Sequence, residues 1–252
     1  MRSETYLKLI SFRAGLCIKF AFIAILCAGG AVLADWDVGN PALYYQLPDE
    51  SDGWSVYSEW GTGPAGVADN WTAAVTASIT EIHFWGGWKD DHVGQIGNIL
   101  IQIFENGSAG LPGECAWEQV FSTGEYTSKT YSTGFQGWYY PGPDGTWSAR
   151  NHDDLYQYSI PISTDPFIQQ AGQTYWIMTA MDVQGGTWGW NTAESVSGGP
   201  AVFWNGAWEQ LLTPAGYEDP QTPLDMSFVI VPEPATLILL GLGAAIAGKR
   251  KD

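Results

Sequence analysis

Apolar and polar residues alternate one for one along the centre of this chain. Ile99, Ile101 and Ile103 fall on one side of residues 98–105, and Tyr156, Tyr158 and Ile160 on one side of 154–161. Tyr175, Ile177, Thr179, Met181 and Val183 do the same along 174–183, and Met226, Phe228 and Ile230 along 225–231. A period of two marks a strand with one buried face. Further extended runs are read at 43–47, 53–57, 67–71, 74–85 (the longest), 115–121, 127–132, 135–140, 188–190, 202–204 and 207–211. Glycine and proline separate these runs, as they do in many-stranded domains. Only residues 165–171 read as a helical turn, with Asp165 as cap, Pro166 in the first turn and Gly172 as stop. More than ten strands and almost no helix predict an all-β chain, a β-sandwich of jelly-roll type.

The two ends read differently. Residues 1–34 have the form of a secretory signal peptide: Arg2, Lys8, Arg13 and Lys19, an apolar stretch at 20–28, then Val32-Leu33-Ala34 with small residues before a cut at Asp35. Cys27 follows Leu26 where a lipoprotein motif wants a small residue, so lipid attachment is rejected. At the other end, Pro232, Glu233 and Pro234 favour extended backbone, which a helix can only follow. Residues 235–248 carry no charge. As a helix they would span about 21 Å at 1.5 Å per residue, short of a bilayer core of about 30 Å. Lys249, Arg250 and Lys251 would hold the end on the cytoplasmic side.

Tripeptide, short apolar helix and basic end together resemble the PEP-CTERM sorting signal of exported bacterial proteins. That resemblance implies an exosortase as processing partner, transient anchoring in the inner membrane, and delivery to the cell surface or beyond it, in a setting of exopolysaccharide and biofilm. The domain organisation that follows is signal 1–34, β domain 35–230 and sorting signal 231–252, the sandwich being flanked by an N-terminal signal helix and a short C-terminal hydrophobic helix. The middle also resembles an uncharacterised exported β-sandwich domain found with such tails. The likeness rests on Val67-Ala-Asp-Asn-Trp71, Ile79-Thr-Glu-Ile-His-Phe-Trp-Gly-Gly87, Ile101-Gln-Ile-Phe104, Leu111-Pro-Gly113 and Gly172-Gln-Thr-Tyr-Trp-Ile177. It carries no activity and no site residues.

Charge narrows the function. Seven of the 10 basic residues lie in the two ends, leaving Lys89, Lys129 and Arg150, while all but Glu4, Glu233 and Asp252 of the 27 acidic residues lie between them. The middle therefore carries a net charge near −21, which repels phosphate backbones and excludes nucleic acid as a partner. Removal of the signal takes Cys17 and Cys27 with it, so Cys115 has no partner for a disulfide. It reads as a small buried residue rather than a nucleophile.

The residues that could carry chemistry are few. His83, His92 and His152 match no compact metal-ligand spacing. Asp90-Asp91 and residues 151–154 offer hard oxygen donors, for which calcium would be the fitting ion, yet such clusters more often make turns. No nucleophile elbow, phosphate loop or dinucleotide fingerprint is present, so no catalytic residue, metal ligand or cofactor is assigned. All 14 tryptophans lie in the middle. The leading expectation is a non-enzymatic structural protein of the surface or matrix. One alternative is a carbohydrate-binding module with an exposed platform drawn from Trp85, Trp88, Trp138, Trp147, Trp188 or Trp190; another is a glycan-acting enzyme with two carboxylates converging in a cleft.

Overall fold

In the computed structural model of the chain, residues 35–60, 66–142 and 145–233 are described. The signal peptide and its helix, Pro234, the tail helix and its basic end lie outside them. The described residues form fourteen strands: β1 (Tyr44–Gln46), β2 (Trp54–Tyr57), β3 (Val67–Thr72), β4 (Ala77–Trp88), β5 (Gln95–Asn106), β6 (Pro112–Ser122), β7 (Thr127–Tyr140), β8 (Thr146–Pro161), β9 (Ile168–Gln169), β10 (Thr174–Gln184), β11 (Trp188–Asn191), β12 (Val202–Trp204), β13 (Trp208–Gln210) and β14 (Phe228–Pro232). The expected all-β sandwich is what they build. One sheet runs β13-β12-β3-β10-β5-β6, and the other runs β1-β14-β4-β11-β2-β7-β8 with β9 added to β4.

The period-two pattern sets which residues the sheets enclose. Ile99, Ile101 and Ile103 of β5 meet Tyr175, Ile177 and Met181 of β10 in one core with Phe84, Tyr158, Ile160, Trp188, Trp190, Phe228 and Ile230 of the other sheet. The long central strands β4, β5 and β10 give this core its length, and burial of so much apolar surface is the main stabilising term. Buried indole N–H groups need acceptors there. Trp71 donates to Gln169 Oε1 at 3.0 Å and Trp190 to the Ser227 carbonyl at 2.8 Å.

The eight-stranded sheet curls until it closes. β4 pairs β8, β8 pairs β7, β7 pairs β2 in parallel, β2 pairs β11, and β11 returns to β4. Register shifts near Thr130, Thr133 and Gln136 let β7 bend around this ring. The outward side of β4 therefore gains a second small core of Trp36, Trp85, Leu155 and Val229, with Tyr131 packed on it. The segment before β1 is held there by Gln157 Nε2, which donates to the Trp36 carbonyl at 2.8 Å, and by a Lys129–Asp35 ion pair of 2.9 Å.

Three local expectations are corrected. Residues 165–171 are not a helical turn. Asp165 takes a positive φ of 49°, and Ile168–Gln169 pairs with Ala77 and Ser78 at the start of β4. The open edge of β4 offered better hydrogen bonds than one isolated helical turn, which is costly to nucleate. Runs 127–132 and 135–140 are one bulged strand, and β8 begins at Thr146, well ahead of the alternating stretch. Cys115 is exposed rather than buried, because β6 is an edge strand and Cys115 sits on its outward side.

Candidate functional site

Position parity sorts the six-stranded sheet. Odd-numbered residues of β3, β5 and β10 fill the core, so even-numbered ones stand on the outer face. β12 and β13 continue the pattern around a tight turn, Trp204-Asn-Gly-Ala-Trp208, in which Gly206 has a positive φ of 81°. The turn places Trp204 and Trp208 directly opposite each other, with ring centroids 5.3 Å apart at 71°. Phe104 of β5 meets Trp208 at 6.1 Å. These rings and Met178 line a groove of about 440 Å³, and Trp60 stands at its edge. Trp60 and Trp204 are 43% and 40% exposed, high for side chains of this size.

Two residues further along the same strands the lining changes character. Val202, Trp176, Asn106 and Gln210 stand there in place of Trp204, Met178, Phe104 and Trp208, bordering a second groove of about 520 Å³. Asn70, Thr72 and Thr174 add amide and hydroxyl groups to it. Asn106 Oδ1 accepts the Trp176 indole N–H at 3.0 Å, and Asn70 is fixed by the Gly199 backbone, donating to its carbonyl at 2.7 Å. Among the described residues no Lys or Arg lines either groove, and Glu59 is the one acid. Its carboxylate accepts the Trp188 amide at 2.7 Å, and burial raises its pKa.

The expected platform tryptophans lie elsewhere. Trp85, Trp88, Trp138, Trp188 and Trp190 are all buried: Trp88, Trp188 and Trp190 in the main core, Trp85 in the second small core, and Trp138 against Tyr57 and His152. They are packing residues, so the platform drawn from the sequence is corrected. Trp147 alone of the six is exposed, at 39%, and it packs edge-on against Trp54 and Tyr217.

Side chains with catalytic chemistry are also built inward. Ser55 Oγ lies 2.9 Å from His152 Nε2 inside the ring. Both are buried, and burial pushes the imidazole down to about 4 against the pull of Asp91, Asp153 and Asp90. A Ser–His contact needs a substrate beside it, and this one is sealed; His152 Nδ1 finds no acceptor among the described residues. Asp69 bridges the sheets: it accepts the Met226 amide at 2.7 Å, Gln46 Nε2 at 2.8 Å and the Asn70 amide at 2.6 Å. Burial and neighbouring Asp225 hold its carboxyl well above the usual range. Asp225 accepts the Ser197 amide at 2.6 Å and the Ala201 amide at 3.2 Å, and burial pushes it up to about 6.

The acidic pairs meet: Asp90 and Asp91 form a short 3-10 turn, whereas residues 151–154 lie within strand β8 rather than in a turn. Asp91 accepts the Asp153 and Asp154 amides at 3.1 Å, and Asp90 bonds Asn151 through both its backbone amide and its carboxylate. Among the described residues no three His, Cys, Asp or Glu side chains are placed to hold a metal. His83 bonds Ser159 Oγ at 2.9 Å, and His92 is exposed. Partial burial raises the pKa of the Cys115 thiol, which donates to the Trp117 carbonyl at 3.4 Å.

The root of the tail is part of the fold. β14 lies on β4 as far as Pro232, which pairs with Ile79, and the Glu233 amide donates to the Ser78 carbonyl at 3.2 Å. Among the described residues no helix is long and apolar enough to cross a membrane.

A family model described as a domain of unknown function, DUF7901, matches residues 42–231. The chain belongs to the DUF7901 family. A second model, the PEP-CTERM protein-sorting motif, matches residues 231–251. This DUF7901 protein is accordingly exported, and exosortase sorts it through the membrane to the cell surface. No curated protein and no solved structure matches the chain.

Proposed function

We propose that this DUF7901 protein is a non-catalytic component of the cell-surface matrix, in contact with exopolysaccharide and anchored in the inner membrane only while its tail is processed. The observation that carries the reading is the placement of the reactive side chains. Ser55, His152 and Asp69 are buried and bonded to the fold, and Asp225, at the base of a groove, is buried with its carboxylate holding the Ser197 and Ala201 amides. A surface rich in acid and poor in base suits a soluble body outside the cell. The exported protein is tested by incubating it with exopolysaccharide and a panel of glycans while reducing ends are counted. No release above a heat-inactivated control is expected. Release that disappears in Asp225→Asn would replace the matrix role with a glycan-acting enzyme.

The sheet-bound root of the tail adds a prediction about processing. With Pro232 and Glu233 still paired to β4, the cut is expected after Glu233, leaving β14 whole. Mass spectrometry of the surface-released protein reads the new C-terminus. An end upstream of Phe228 would mean that processing precedes folding.

A further inference from the structure

The outer face of the six-stranded sheet is amphipathic along its strands rather than across them. Its aromatic half has rings at an angle, Trp204 against Trp208, with Phe104 beside them. Its polar half has the side-chain amides of Asn70, Asn106 and Gln210. The two halves are two residues apart on four strands, about 7 Å along a strand, so one extended ligand touches both. A ligand for such a surface needs an apolar face for the rings and neutral hydroxyls for the amides. Pyranose rings have both, since their axial C–H groups form a flat apolar side and their hydroxyls project around the rim.

Charge selects among possible occupants. A uronic or sulfated chain meets no cation here, on a body carrying only three. A nucleic acid brings phosphates to an acidic surface. An aliphatic chain would strip water from the amides and give no hydrogen bond in return. We propose that this face is a binding site for a neutral polysaccharide. One pyranose sits in the corner of Trp204 and Trp208, and the chain continues past Trp176, which is buried, towards Asn70, Asn106 and Gln210. Each groove lies within the roughly 300–1,000 Å³ usual for small-ligand sites. The site goes beyond the matrix role and does not depend on it: a glycan-binding protein that stayed in the membrane fraction would break that role alone.

The test titrates the exported, processed protein with neutral hexasaccharides of glucose, mannose, galactose and N-acetylglucosamine, with hexagalacturonate as the anionic control. Calorimetry and tryptophan fluorescence give Kd. At least one neutral hexasaccharide is expected to saturate below millimolar concentration while hexagalacturonate does not. Trp204→Ala should weaken binding tenfold or more with an unchanged Tm, Trp208→Ala should weaken it as much, Trp208→Phe should retain most of it, and Trp147→Ala should have no effect. The proposal is overturned if no neutral hexasaccharide binds, if hexagalacturonate binds equally well, or if Trp147→Ala costs as much as Trp204→Ala. It is also overturned if sedimentation shows a dimer that Trp204→Ala dissolves, which would give the face to a second copy of the chain.

Discussion

Trp85 and Trp204, one outward tryptophan from each sheet, are treated in opposite ways. On the eight-stranded sheet Trp85 is covered by Trp36, Tyr131 and Leu155, and the strands curl into a ring around the residues beside it. On the six-stranded sheet Trp204 stands open, with Trp60 of the segment after β2 exposed at the edge of the same groove. Covering a tryptophan releases a large apolar area from water, about 25 cal/mol per Å² buried. A fold that makes this gain at Trp85 and at Trp176 and forgoes it at Trp204 separates stability from recognition. An aromatic residue is thus uninformative about binding until its face of the sheet is known.

The sharpest way to break the comparison is truncation. Trp85→Ala should lower unfolding free energy by about 3–5 kcal/mol, the range for a large buried aromatic, while Trp204→Ala should stay within about 0.5 kcal/mol. Urea unfolding of the two variants measures both. Equal losses would mean that the open face is packed in solution. Glycine replacement is the converse. A Cβ at Gly87 would lie 2.2 Å from His152 Nε2 and 2.7 Å from Ser55 Oγ, inside a sealed ring. At Gly66, on the open face, it would meet the Met178 Sδ at 2.6 Å, the end of a flexible chain. Gly87→Ala should cost about 3 kcal/mol and Gly66→Ala under about 1 kcal/mol. Thermal unfolding of both decides whether the covered face is as unyielding as its packing implies.

Much of this was legible in the chain. Alternation at Ile99–Ile103, Tyr175–Met181 and Phe228–Ile230 reports core-facing positions directly, because a strand has only two sides. The sorting tail is legible for another reason, since it is a local signal read by an enzyme. The open groove was partly legible. Two tryptophans flanking Asn-Gly-Ala at 204–208 specify a hairpin with a cross-strand aromatic pair. Their exposure was not legible, because parity says which residues share a face and does not say which face another segment covers. Trp36 covers Trp85 from 49 positions away, and ring closure joins β2 to β7 in parallel across a longer interval. Neither contact leaves a local trace. The same ignorance put Trp85 and Trp188 forward as platform residues.

The smallest effect is a pH signature of the covered face, and it is small because the core opposes it. Folded His152 takes up a proton only near pH 4, whereas the unfolded side chain does so near 6.5. Between those values the unfolded chain binds more protons, so this contribution to stability is complete above pH 6.5 and is lost as pH falls towards 4. Asp225 acts in reverse. Folded, it keeps its proton up to about 6, against 3.8 when unfolded, so its contribution is complete below 3.8 and is lost as pH rises through 6. Asp69 shifts in the same direction. In the wild-type protein the His152 slope therefore offsets part of the slope of the two acids between pH 4.5 and 6.5. His152→Gln removes one of the opposing slopes, and its unfolding free energy should increase on acidification, by on the order of 2 kcal/mol across that window. Asp225→Asn weakens the other slope and should become less stable over the same interval. Urea midpoints at three pH values measure the slopes. If they coincide in all three proteins, His152 is hydrated in solution, and the ring on the eight-stranded sheet is as open as the groove on the other.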